Sequence, residues 1–170
     1  MGIGDWIILI LNIACLIGSI VGALKAHNSY KKCKQLTNFA NLKIALDECQ
    51  LIFDYCRKLL KHCGDSQNNI RGENPKIKIT EYGYAIKNSF SKIKEILPAT
   101  SQEAVNDILS ISTNHKLDIE KYVSLLVSGQ AIDNDDVTID NISEIEKAVG
   151  KIQLHIKKKM ENMQESDSQM

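Results

Sequence analysis

The side chains best suited to chemistry in this chain are an arginine and a histidine five positions apart, in the run Arg57-Lys-Leu-Leu-Lys-His62. An imidazole can exchange a proton near neutral pH, and a guanidinium grips anions through a planar fork of donors. On a helix, residues at that spacing are turned by about 140°. Both fall off the apolar stripe of their own segment, so they face away from its core. A solvated basic face would look the same, because Lys58 and Lys61 lie beside them and basic groups near a helix C-terminus favour the macrodipole. Cys56, His62 and Cys63 raise the question of zinc. However, Cys49, Cys56 and Cys63 keep a seven-residue core rhythm. A free cysteine there packs as a small hydrophobe, and the C-x2-C pairs of a zinc site are missing. The acidic run with Asp133, Asp135, Asp136 and Asp140 lacks the central glycine and closing glutamate of a calcium loop. His115 reads as a packed histidine, and Lys157, Lys158 and Lys159 as a solvated basic cluster. No phosphate-binding glycine loop, dinucleotide fingerprint or serine-hydrolase elbow is present, and no metal or cofactor is expected.

The elements that would position these residues begin with an apolar span. Trp6 to Leu24 is a run of 19 residues without a charge, in which only Asn12 and Ser19 are conventionally polar. As a helix it would cover about 28 Å, close to the roughly 30 Å hydrocarbon core of a bilayer. A cleaved signal peptide would open on Lys or Arg and carry a shorter apolar run. Met1–Asp5 has no basic residue and includes Asp5, so a retained single-pass anchor is expected over a cleaved signal or a buried helix. Lys25, Lys31, Lys32 and Lys34 follow the span closely, which predicts an outside N-terminus and a cytoplasmic C-terminal side. Cys33, Cys49, Cys56 and Cys63 then fall in a reducing compartment and read as free thiols. Within the span, Asp5, Asn12, Cys15, Ser19, Gly22 and Ala26 recur at helical spacing, and Gly18 and Gly22 form a GxxxG pair. Such a stripe is either a helix–helix seam in an oligomer or the lining of a water-filled path.

The formal net charge is +0 and aromatics make up only 5% of the chain. Neither a global basic field nor stacking platforms point to nucleic acid, and DNA is not an expected partner. Beyond the span the apolar spacing is helical throughout. Leu42, Ala45, Leu46, Ile52, Phe53, Leu59 and Leu60 give one broad apolar face over Tyr30 to His62. Nothing between Leu24 and Tyr30 breaks a helix strongly, so the span and this helix can run on as one, with a bend at His27–Ser29. A polar loop from Gly64 to Pro75 precedes a second helix from about Thr80 that stops at Pro98. A third is predicted from a capping box at Thr100 and Glu103 to Ser128, and a fourth from about Ile142. The expectation is an all-α chain: a transmembrane helix in residues 1–26, a four-helix bundle in residues 27–163 and a disordered polar tail in residues 164–170.

Arg57, four residues, then His62 resembles the motif of HEPN ribonucleases, which are four-helix bundles. The resemblance implies a metal-independent cut of RNA, in which His62 handles the 2′-hydroxyl proton and Arg57 holds phosphate. A working site takes one motif from each of two subunits. Two features depart from the family: Lys58 follows the arginine, and the motif sits on the first helix of the bundle. The whole layout resembles more narrowly the small membrane accessory proteins of type VI-B CRISPR loci, which accompany an RNA-guided RNase. That resemblance implies an oligomer in the bacterial inner membrane that strengthens antiphage defence by permeabilising or depolarising it.

The leading expectation is therefore a non-enzymatic membrane effector. Asn12, Cys15, Gly18, Ser19 and Gly22 would form its seam or pore wall, and Arg57 and His62 would contact a neighbouring copy, RNA or the guided RNase. Two alternatives stand beside it: a membrane-anchored ribonuclease acting through Arg57 and His62, and a passive anchored scaffold.

Overall fold

In the computed structural model every described element is a helix, and the structure describes residues 3–64, 75–110, 118–133 and 137–168. The elements are α1 (Ile3–Gly64), α2 (Pro75–Ile96), α3 (Ala99–Ser110), α4 (Ile119–Ser128), α5 (Gln130–Asp133) and α6 (Ile139–Ser168). The chain is all-α. It divides into two units, Met1–Asn38 and Phe39–Met170.

The first unit is the N-terminal part of α1, which remains helical through His27–Ser29. From Ile10 to Lys34 all side chains are exposed, large apolar ones included; Leu16 is 63% accessible. A window of 18 residues near the N-terminus reaches a mean hydropathy of 1.6 with none of it buried. By length and composition this helix can cross a membrane, and its large apolar side chains are exposed.

The second unit is built on the expected periodicity. The later part of α1 buries Leu42, Ala45, Cys49, Ile52, Cys56 and Leu59. These meet Ile86 and Ile93 of α2, Val105 and Leu109 of α3, Tyr122 and Leu126 of α4, and Ile145 to Ile156 of α6 in one cluster. Glu48 of α1 is also buried and takes a 2.5 Å hydrogen bond from Lys92 Nζ of α2. Lys94 of α2 pairs with Glu120 of α4. α2 and α4 approach closely at Gly83, where a Cβ would stand 2.8 Å from Leu126 Cβ. Only a glycine lets the helices meet there.

Several boundaries differ from the sequence expectation, each for a local reason. α2 opens at Pro75, not near Thr80, since proline is preorganised for the first helical position. The predicted third helix is not continuous to Ser128. α3 ends at Ser110, and α4 starts afresh behind Asp118, whose side chain accepts from Lys121 N at 3.0 Å. The Thr100/Glu103 capping box does not form. α3 already begins at Ala99, Pro98 O takes the Ser101 and Gln102 amides, and the Thr100 hydroxyl accepts from Lys159 Nζ instead. α4 ends at Gly129, whose φ of 77° is the left-handed conformation glycine adopts freely. α6 starts three residues early, at Ile139, because Thr138 Oγ1 caps it by accepting from Asn141 N. It also runs on to Ser168 through the stretch read as a tail, with Met160 and Met163 still packed on the core. The Gly64–Pro75 loop over residues 65–74, His115, and Asp135 and Asp136 lie outside the described residues, as do the side chains of Asp5, Cys63 and Asp133.

Candidate functional site

Arg57 and His62 both belong to the last two turns of α1, but they do not meet. Arg57 points outward, 68% exposed, and its partner is Asp54, 3.6 Å away at i,i+3. An exposed pair of that kind is worth at most about 0.5 kcal/mol. The guanidinium is therefore close to a free cation on the surface.

His62 turns the other way, toward α2. It is half-buried, and its ring lies 5.8 Å from that of Tyr82, tilted by 35°. Tyr82 in turn lies 6.0 Å from Tyr55, again tilted by 35°. Lys58 Nζ sits 4.9 Å from the Tyr55 ring centroid and 5.8 Å from that of Tyr82. Tyr55, Lys58 and His62 are spaced i, i+3, i+7, so one stripe of α1 delivers all three to the same place. The result is an open cluster of three rings and an ammonium, formed by α1 and α2, with Arg57 and Lys61 on the adjoining outer face. Ring separations of 4.5–7 Å are the range in which tilted aromatic pairs attract, and a surface cation–π contact adds about 0.5–1 kcal/mol.

The spacing argument put Arg57 on the outer face, where it lies, but it also turned His62 away from the core, and His62 is instead half-buried against Tyr82 of α2. That spacing did not find Tyr55 or Tyr82. Tyr82 falls between Ile79 and Ile86 at helical spacing, which marks it as inward-leaning, but nothing local says which helix its ring will meet.

Cys49 and Cys56 are not part of this cluster. Cys49 and Cys56 are fully buried, and burial pushes both thiols up to about 12, with the charge of Glu48 adding at Cys49 and that of Glu146 at Cys56. At neutral pH they are protonated core side chains, neither nucleophiles nor ready metal ligands. Among the described residues no three His, Cys, Asp or Glu side chains converge as a metal set would. Asp140 is exposed in the first turn of α6. Lys157 and Lys158 are exposed, while Lys159 is committed to α3, donating to Ser101 Oγ at 2.6 Å and Thr100 Oγ1 at 3.0 Å.

In the apolar unit, Asn12, Cys15, Gly18, Ser19 and Gly22 are all exposed. The Ser19 hydroxyl donates to Cys15 O at 2.8 Å within its own helix, which satisfies that proton in an apolar medium. A Cβ at Gly18 or Gly22 would meet nothing within 4 Å, so these glycines are not required by packing within one chain. Comparison with protein-family models, with curated proteins and with solved structures finds no match to this chain.

Proposed function

We propose that this chain is a single-pass protein of the bacterial inner membrane, N-terminus outside, whose membrane helices self-associate and permeabilise or depolarise the bilayer. The observation that carries the reading is the N-terminal helix: long, apolar and exposed along its described length. Its small and polar stripe supports self-association, because helices in lipid pack through small residues and shared hydrogen bonds. The helical unit behind it reads as a HEPN-like bundle that serves as an assembly and sensing platform. In the setting that the layout resembles, a type VI-B CRISPR locus, the effect would strengthen an RNA-guided RNase during antiphage defence. Arg57 and His62 would then bind a neighbouring copy first, and RNA or the guided RNase second.

The test is membrane potential in bacteria expressing the chain with and without a guided RNase and its target RNA. Residues 1–26 are then replaced by an unrelated single-pass anchor. Target-dependent depolarisation that disappears with the swap is the expected result, and an unchanged potential during active targeting would sink the proposal. The ribonuclease reading has a geometric requirement of its own. With Arg57 and His62 on different faces of α1, a cutting site needs the arginine of one copy and the histidine of another. It predicts metal-independent RNA cleavage that survives the anchor swap and is abolished by His62→Ala.

A further inference from the structure

We propose that Tyr82 is the positioning residue for the Arg57/His62 face, holding both the His62 imidazole and the Lys58 ammonium on its ring. Three of the four ring contacts in the cluster run through it: to His62 at 5.8 Å, to Tyr55 at 6.0 Å and to Lys58 Nζ at 5.8 Å. His62 has particular need of such a hold. It lies in the last turn of α1, where a helix frays and a side chain gets little orientation from its own backbone. A group that must meet a partner or pass a proton has to be kept within about 0.5 Å and 10–20° of its working geometry.

Tyr82 is well placed to do so. It adjoins Gly83, the point at which α2 is pressed against Leu126 of α4, and it is flanked by buried Ile79 and Ile86. That part of α2 has no room to slide. The ring therefore ties the last turn of α1 to the α2–α4 contact. The contacts are made by the ring, so phenylalanine should serve in its place. Leucine would fill similar space without a face for an imidazole or an ammonium to sit on.

The importance of the face rests on the functional reading above; the hold on His62 does not, and the experiment separates them. The full chain in detergent is prepared as wild type, Tyr82→Phe, Tyr82→Leu, His62→Ala and the Tyr82→Leu/His62→Ala pair. The His62 ring protons are observed by NMR, and each variant is scored for depolarisation in cells. In the wild type and in Tyr82→Phe the His62 protons should carry an upfield ring-current shift, and Tyr82→Leu should remove it. Depolarisation by Tyr82→Leu should fall to the level of His62→Ala, and the double variant should fall no further. Tyr82→Met serves for the same comparison should the leucine variant fail to fold. An unshifted His62 signal in the wild type would overturn the proposal, as would, where His62→Ala is impaired, full activity in Tyr82→Leu or a double variant weaker than both singles. If His62→Ala depolarises as well as the wild type, the functional reading of the face fails. The ring-current shift then decides the role of Tyr82 alone.

Discussion

Glu48 shows how a single buried side chain ties two helices together. Burial by itself would push its carboxyl up. The hydrogen bonds from Lys92 and Ser89 and the Lys92 charge outweigh that and leave it below the ordinary 4.5. A carboxyl lowered on folding adds stability that is complete above the unfolded value and fades as pH falls through the folded one. The α1–α2 contact should therefore weaken below about pH 4.5. Glu48→Gln should cost about 1–2 kcal/mol at pH 7 and flatten the acid limb of a thermal-stability profile. The glycines make a matched pair at the same scale. Gly83→Ala gains about 1 kcal/mol of helix propensity but drives a methyl into Leu126, and overpacking of that kind costs about 1–3 kcal/mol. Gly150→Ala, in α6, meets nothing within 4 Å and should stabilise by about 0.5–1 kcal/mol. Opposite shifts of the unfolding midpoint in the two variants are expected; shifts of the same sign would mean that α2 and α4 do not approach as described.

Among the elements, α4 depends most on its ends. It has only 10 residues, too few to stand alone in water, with Asp118 at one end and left-handed Gly129 at the other. Asp118→Ala should cost about 1 kcal/mol by freeing the Lys121 amide. The cost should appear as early hydrogen exchange in α4 before the rest of the unit opens. The N-terminal part of α1 is the opposite case. Its side chains from Ile10 to Lys34 are exposed, so substitutions there should leave the fold of the second unit untouched. Gly18→Leu with Gly22→Leu is expected to keep the unfolding midpoint of the second unit within error and to lower the oligomer fraction in mild detergent. A loss of stability in the second unit instead would mean that the stripe packs within the chain.

For the molecule as a whole, the question is whether one chain is a complete working unit. The side chains of the apolar helix from Ile10 to Lys34 are exposed, a Cβ at Gly18 or Gly22 would meet nothing within 4 Å, and Arg57 and His62 face different ways. All three are compatible with the proposed assembly of identical chains. A strict monomer in mild detergent would count against the assembly. The same preparation should show a broad oligomer distribution collapse when residues 1–26 are exchanged for an unrelated anchor.

Local sequence alone determined that this chain is helical and that its N-terminus can enter a bilayer. A charge-free run and a repeating apolar spacing act within a few turns of one helix, so the buried face of α1 from Leu42 to Leu59 could be read directly. Capping was harder to read: the expected third helix ran straight through Asp118, which instead caps α4. The expected cap failed at Thr100, because Lys159, far off in sequence, takes that hydroxyl. Only the tertiary structure decided which helix each face meets. It set His62 beside Tyr82 and Lys58 between the Tyr55 and Tyr82 rings, buried Glu48 against Lys92, and pressed α2 onto α4 at Gly83. Periodicity fixes the direction in which a side chain leaves its own helix. The partner it finds there depends on contacts between distant segments, and those are set by how the whole core packs.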